Sequence, residues 1–367
     1  MLCDIVYRNY FSINKMSVRA TREFTQQLIV WQKAHGRHHL PWQVSDPYRI
    51  WLSEIMLQQT QVATVLGYYD CFLKKFPTLS SLAQASIDDV LVLWSGLGYY
   101  NRAHYLHQTA QKIMSDFQGI FPTKQAILET LPGIGRSTAA AITVFATGQK
   151  ATILDGNVKR VLARVFGIEK PLDNAKTLKD LWELAEALLP THPKKIIPYT
   201  QGLMDLGATV CKRTQPFCTI CPMLRICEAG QHQKTDVIPA QKTRKKMPMR
   251  HTIMLLAIFN KKIYLIKRPK SGIWAGLFSL PEQNDIIAIK ALANQLGTYI
   301  MLPKWPKYPH TFTHFNLVIS PQPIKIIALK PPPENLLGQW FDLEKALLVA
   351  LPTPIHQLLI RLQKMYI

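Results

Sequence analysis

Between residues 21 and 227, apolar side chains recur three and four positions apart, interrupted by short Gly- and Pro-containing stretches. That period predicts a succession of amphipathic helices. Asp46-Pro47 places an N-cap acceptor before a proline at the first helical position, predicting a helix over residues 48–66. Leu131-Pro132-Gly133-Ile134-Gly135 separates a short helical stretch, 124–130, from an Ala-rich one, 137–147, and Asp155 precedes another, 158–166. The pattern changes over residues 228–250, where apolar positions are few and Lys242, Arg244, Lys245, Lys246 and Arg250 cluster, as in an exposed basic linker. Beyond it, residues 253–259 and 263–266 flank Asn260-Lys261-Lys262 as a β-hairpin would. Residues 317–319 and 324–329, on either side of Pro321-Gln322-Pro323, read as two further strands, and a helix is expected near 286–296. The fold class is therefore multidomain: an all-α domain over 21–227, a linker over 228–250, and a smaller α+β domain over 251–367. Residues 1–20 are an N-terminal extension, and Met16 is an alternative start.

Length and charge narrow the function classes. The 367 residues suit two domains of roughly 100–200 residues each, and a hydrophobic fraction of 48% excludes a wholly disordered chain. No apolar run has the length of a membrane span. The first twenty residues lack the basic-then-apolar order of a signal peptide, so a cytosolic chain is expected. Lys and Arg total 44 against 23 Asp and Glu, for a net charge of +21, and residues 251–367 share the surplus with 13 basic and 5 acidic side chains. A surplus carried by both halves points to a polyanion, with nucleic acid the first candidate; the bland alternative is a charge that only aids solubility.

Three features carry chemistry. Glu54 sits in the middle of an apolar helix beside Trp51, Ile55, Met56 and Leu57, with Gln58 one turn on. Burial there would raise its pKa and fit it for general acid work; on an outer face it would be an ordinary solvated side chain. The glycines of the LPGIG turn allow a tight hairpin whose second helix opens its N–H groups to an anion, the form of a helix-hairpin-helix that grips DNA backbone. Asp155, as an N-cap, needs no further role, yet with Glu54 it supplies the acid and the ionised carboxylate that glycosidic cleavage uses. Cys211, Cys218, Cys221 and Cys227 follow a C-x6-C-x2-C-x5-C spacing. In a cytosolic chain that spacing indicates a metal site, with zinc and an iron–sulfur cluster both open. Cys71 has no such partners and is expected to be a small buried apolar residue.

Taken in order, Leu40-Pro41-Trp42, the WLSEIMLQQT stretch 51–60, the GLGYY stretch 96–100, LPGIGRST at 131–138, LDGNVKR at 154–160 and the four-cysteine loop resemble the adenine DNA glycosylases of the helix-hairpin-helix superfamily. The resemblance covers nearly the whole chain after residue 21. It implies a monofunctional enzyme of base excision repair that flips out and excises adenine mispaired with 8-oxoguanine or guanine. It casts Glu54 as the acid that protonates adenine, Asp155 as the carboxylate that stabilises the sugar cation, and Asn157 as a residue supporting it. Trp42 and Leu57 resemble pocket walls, and Asp205 a residue that holds the adenine edge. Gln58, Gln59, Thr60, Leu97 and Tyr99 resemble residues that contact the duplex and enter its stack. Gly133, Gly135 and Ser137 belong to the backbone-gripping hairpin. The cysteines, residues 211–227, are similar to ligands of one 4Fe–4S cluster per chain.

The expected partner is double-stranded DNA carrying A:8-oxoguanine or A:G mispairs. No membrane association is implied, the chain is expected to be monomeric and nucleoid-associated through DNA, and no protein partner is specified. Strand-cutting relatives place a lysine nucleophile at the position of Ser137, and a hydroxyl cannot form their Schiff base, so at most weak lyase activity is expected. Residues 251–367 resemble a Nudix-like domain whose helix at 286–296 has no carboxylate, which disfavours pyrophosphate hydrolysis and favours recognition. There Phe312, Thr313 and His314 resemble the loop that reads 8-oxoguanine, with Thr313 where serine is common. Two other classes compete: a bifunctional lyase for oxidised pyrimidines, and a non-catalytic DNA-binding module.

Overall fold

A computed structural model of the chain describes residues 18–240, 247–331 and 338–366. The proposed extension up to residue 17, with Met16, and the central linker residues Lys242, Arg244, Lys245 and Lys246 lie outside the described residues. Backbone contacts divide the chain into two compact units, Met1–Gln59 with Lys112–Thr243, and Thr60–Gln111 with Arg244–Ile367.

The first unit is helical. The Val18–His35 helix packs on Ile196–Asp205, and Pro47–Leu57 packs on Arg136–Thr147. The second pairing is close because Ala139, Ala140 and Ala141 present only methyl groups, and all three are buried. Around the Gly156–Val165 helix, Val158, Val161 and Leu162 meet Leu181, Tyr199, Leu203 and Leu206 in one core. Burial of this kind contributes about 25 cal/mol per Å² of apolar surface and dominates the stability of such a unit.

The second unit joins the helices Val62–Lys75, Leu79–Gln84 and Ile87–Trp94 to an eight-stranded sheet with helices Ile286–Leu296, Leu343–Ala346 and Thr353–Tyr366. Its strands are β1 (Met249–Phe259), β2 (Lys262–Lys267), β3 (Phe278–Ser279), β4 (Glu282–Gln283), β5 (Gly297–Met301), β6 (Tyr308–Thr311), β7 (Asn316–Leu329) and β8 (Gly338–Asp342). The order is β3-β2-β1-β7-β5, with β4 on β1, β6 on β7 and β8 on β2. β1 and β7 run parallel, from Met249↔Asn316 to Ile258↔Lys325. The Ile286–Leu296 helix covers the sheet through Ile289, Ala293 and Leu296, which meet Leu255, Ala257, Tyr264 and Ile324. Among the described residues no helix is long and apolar enough to cross a membrane.

Helical and α+β parts follow in the expected order, and the β1–β2 hairpin turns through Asn260 and Lys261 at φ 45° and 60°, the left-handed pair such a two-residue turn requires. Four local expectations are corrected. The helix expected over 48–66 is two, Pro47–Leu57 and Val62–Lys75, because Gln58 leaves the helical region and Gln59 turns left-handed at φ 57°. The two strands expected about Pro321 and Pro323 are the single strand β7. Its prolines sit where the neighbour changes from β6 to β5: Trp305 N–H donates to Pro321 O and Leu302 N–H to Pro323 O, while Leu302 O is met by the Gln322 side chain, so no proline N–H is needed. The start of the linker is anchored, since Ala229 and Ile238 are buried in the helical core. Cys71 is exposed, on the outer face of the Val62–Lys75 helix.

Candidate active site and nucleic-acid interface

Glu54 owes its place to the start of its helix. The Asp46 side chain accepts from Tyr48 N–H at 2.9 Å, Pro47 follows, and the helix then buries Ile50, Trp51, Ile55 and Met56. Two turns in, Glu54 is carried half-buried among these apolar groups. Loss of water, first, and the negative charge of Asp155, second, push its carboxyl from 4.5 up to about 8. Asp155 caps the Gly156–Val165 helix, its Oδ1 accepting from Val158 N–H at 2.8 Å. The cap fixes the carboxylate rigidly, and the pair acquires opposite roles: one carboxyl holds its proton at neutral pH while the other contributes charge.

Asn157 is fixed by a neighbour to which the sequence reading gave no role. Arg160 donates from Nη2 to Asn157 Oδ1 and to Gly207 O, both at 2.8 Å, and from Nε to Cys211 O at 2.9 Å. Residues 206–210 form one π-helical turn here, and Gly207 is required in it, because a Cβ would come within 2.7 Å of Asn157 Cβ. The signal for Arg160 lay in its spacing, three residues from Asn157 on one helix face. Asp205 is fully buried, and its carboxylate already accepts from Arg37 Nε at 2.7 Å, Arg37 N–H at 3.0 Å and Gln201 Nε2 at 3.0 Å. Arg37 thereby ties the chain leading to Trp42, itself buried, to the Ile196–Asp205 helix. Leu57 and Gln58 are half-buried at the end of the Glu54 helix, and Gln59 is exposed.

The hairpin has the form read from its glycines. Gly133 turns at φ 74°, Leu131 and Ile134 are buried, and Gly135 is the N-cap of Arg136–Thr147. Ser137 Oγ accepts from Leu154 N–H at 2.9 Å, linking the hairpin to the segment before Asp155. Arg136 turns aside: it pairs with Glu186 at 2.6 Å, and its guanidinium lies 3.8 Å from the Trp182 ring.

Cys211, Cys218, Cys221 and Cys227 line one pocket, and none is in a disulfide. Arg164, 3% exposed, points into its wall. It donates to the carbonyls of Ile238, Lys212, Arg213 and Thr235, and from Nη1 to Cys211 Sγ at 3.5 Å. Gly230 N–H donates to Cys227 Sγ at 3.3 Å. Among the described residues no group of three or more His, Cys, Asp or Glu side chains is arranged to hold a single metal ion. Four thiols around one pocket, with N–H donors on sulfur and a buried cation alongside, fit a larger thiolate-bound group of negative charge.

In the second unit the 96–99 turn is backbone-strained, with Gly96, Gly98 and Tyr99 at φ 94°, 76° and 51°. A left-handed tyrosine costs roughly 1–2 kcal/mol. Leu97 is buried, whereas Tyr99 is 44% exposed. Arg102, also absent from the sequence reading, lies under the turn, and burial lowers its guanidinium to about 10. Thr60 Oγ1 accepts from Arg102 Nη2 at 3.1 Å. Across the sheet, residues 312–315 form the tip between β6 and β7, closed by Phe312 N–H donating to Phe315 O. Phe312 stacks on buried Phe315 at 4.6 Å and 23° and also touches the Trp274 ring, leaving Thr313 and His314 exposed at the tip. Glu282 is paired with Arg268 at 3.0 Å.

Comparison with known proteins places these parts. Residues 52–187 match the model of the HhH-GPD superfamily of base excision DNA repair proteins, and residues 253–361 match the NUDIX domain. An adenine DNA glycosylase of Buchnera aphidicola subsp. Baizongia pistaciae is 37% identical over 350 residues, covering 94% of this chain and 98% of that one. The adenine DNA glycosylase of Homo sapiens is 32% identical, covering 80% of this chain and 65% of that one. Among solved structures, a thermostable thymine-DNA glycosylase aligns with a TM-score of 0.53 at 30% identity, over 58% of this chain and 98% of that one. An endonuclease III–DNA complex aligns at 0.50 and 21% over 58% of this chain and 97% of that one, a likeness of fold.

Proposed function

The chain belongs to the adenine DNA glycosylase family, and from that premise we propose that it excises adenine from A:8-oxoguanine and A:G mispairs in duplex DNA, as a monomer acting at the nucleoid. The observation that carries the reading is the pair of unlike carboxyls, Glu54 pushed up to about 8 beside the charged Asp155. Glu54 gives its proton to a ring nitrogen of the extruded adenine. The electrons of the glycosidic bond leave with the base, and the sugar is left as an oxocarbenium-like cation facing Asp155. That carboxylate stabilises the cation as an ion pair or a short-lived ester, and water completes the hydrolysis. Asn157, held by Arg160, keeps the Asp155 turn in register. The Arg37–Asp205 pair supports the segment that carries Trp42.

The family resemblance and the half-covered aromatic tip support opposite-base reading by Phe312, Thr313 and His314. Ser137 supports a hydrolase without strand cleavage, since its hydroxyl accepts a backbone hydrogen bond where a lyase would need an amine. The assay that tests the proposal uses duplexes bearing A opposite 8-oxoguanine, A opposite G, or thymine glycol, each with and without alkali. Adenine release from the first two, with strand breaks only after alkali, is expected. Release of thymine glycol, or nicking without alkali, would favour the lyase reading, and no release at all the binding module. Affinity should fall steeply with salt, as phosphate neutralisation by a chain of net charge +21 requires.

The cysteine pocket supports one 4Fe–4S cluster on Cys211, Cys218, Cys221 and Cys227. When bound, the cluster supplies a covalent tie across residues 211–227. Arg164 supplies a donor to one sulfur, and Ala229 and Ile238 seat the following segment in the core. Purified protein is expected to be brown and to contain iron in place of zinc, and Cys221→Ser should lose both colour and duplex affinity. A colourless, zinc-loaded protein of full activity would reject the assignment.

A further inference from the structure

The 96–99 turn is held from beneath by one side chain. Arg102 is 7% exposed, and its Nη2 donates to Leu97 O at 3.3 Å and Gly98 O at 3.0 Å, as well as to Thr60 Oγ1 at 3.1 Å. Its backbone N–H donates to Tyr99 O at 2.9 Å. The guanidinium lies 5.3 Å from the Trp94 ring and 5.5 Å from the Tyr99 ring. Trp94 adds a second donor to Gly98 O, from Nε1 at 3.1 Å. Three features therefore converge on one cation: the carbonyls of Leu97 and Gly98, the exposed Tyr99 ring, and the hydroxyl of Thr60, just before the Val62–Lys75 helix.

We propose that Arg102 is a positioning residue that presets the 96–99 turn, so that Tyr99 meets the duplex as a ready-made wedge and the target base leaves the stack without first waiting for the turn to form. The inference rests on the reading that this turn enters DNA. A guanidinium suits the task because its planar fork reaches two carbonyls at once while its face lies on aromatic rings; an ammonium cannot do both. The turn is costly without its clamp, since a tyrosine at positive φ reverts readily to extended backbone. The proton transfer and the cation are assigned to Glu54 and Asp155, so the effect of Arg102 falls on extrusion and leaves bond cleavage alone.

Single-turnover excision at saturating enzyme separates the two steps. One substrate is a fully paired duplex with A opposite 8-oxoguanine; the other carries the same adenine within a short unpaired bubble, already unstacked. Arg102→Ala is expected to slow the paired substrate by about 10- to 100-fold, the scale of a misplaced positioning group, and to leave the bubble substrate within about threefold of the unsubstituted enzyme. The fluorescence rise of 2-aminopurine placed beside the target should slow by the same factor. Arg102→Lys should resemble the alanine variant, and Trp94→Phe, which keeps the ring and loses one donor, should move in the same direction by less. These two milder changes carry the test if the alanine variant is poorly folded. Equal slowing on both substrates, or no slowing on either, would overturn the proposal. Tyr99→Ala serves as the control on the underlying reading: if it leaves extrusion of the paired substrate unchanged, the turn does not enter DNA and both fall. If it slows extrusion while the Arg102 and Trp94 variants do not, the reading stands and Arg102 is excluded.

Discussion

Glu54→Gln is expected to lose at least about 10³-fold in adenine release while still binding mispaired duplex, and to be more stable than the parent protein above neutral pH. The first loss follows from removing the general acid, whose contribution is typically 10²–10⁴-fold. The gain follows from linkage. Between pH 4.5 and about 8 the unfolded chain has Glu54 ionised while the folded chain holds its proton. Stability therefore falls by about 1.4 kcal/mol per pH unit across that window and levels off above it. Glutamine has no proton to hold, so the variant escapes the fall and gains on the order of 3–5 kcal/mol relative to the parent by pH 9, with no difference below pH 4.5. Denaturant unfolding at pH 4, 7 and 9 measures it. A stability difference that does not grow with pH would mean that the carboxyl is not desolvated, and near-normal turnover would remove Glu54 from the acid role. The parent enzyme should correspondingly lose activity as pH rises through about 8.

Asp155→Asn separates capping from catalysis. Asparagine is as good an N-cap as aspartate, so its side-chain oxygen can keep the Val158 N–H bond and the Gly156–Val165 helix. What disappears is the charge facing the sugar cation, and a fall of about 10³-fold or more in single-turnover rate is expected with the melting temperature nearly unchanged. A second signature accompanies it. Asp155 is one of the two causes of the raised Glu54 pKa, so the alkaline limb of the residual activity should move to lower pH. Retention of a tenth of the activity, or an unmoved limb, would show that the two carboxyls do not act as a pair.

What could be read from the residues beforehand was what local chemistry decides. Asp46-Pro47 and Asp155 announce helix starts because their side chains satisfy N–H groups two or three residues on. The Gly133 turn and the cysteine spacing are likewise local. Glu54 was legible as a carboxylate on an apolar helix, but its placing beside the charge of Asp155, a hundred residues away, was not. The break after Leu57 was hidden because Gln58 and Gln59 are ordinary helix formers overridden by tertiary context. The prolines of β7 suggest a break because they lack a donor, and nothing local says that Trp305 and Leu302 donate to their carbonyls while Gln322 serves Leu302 O. Arg102, Arg160 and Arg164 escaped notice for one shared reason. Their partners are mostly backbone carbonyls of distant or turn residues, which side-chain patterns do not record; only the Arg160–Asn157 spacing left a local trace.

Ser95 Oγ and the Tyr100 hydroxyl both donate to Leu351 O, and His104 Nε2 lies 3.1 Å from Ala275 O. Residues on either side of the 96–99 turn thus depend on a segment made more than 170 residues later. At about 5–20 residues per second, the stretch from Gln111 to Arg244 alone occupies a ribosome for roughly seven to twenty-seven seconds. Until that segment has emerged, the Ser95 and Tyr100 hydroxyls lack their Leu351 acceptor and bond to water. The order of synthesis leaves the final setting of these residues to the last part of the chain to be made.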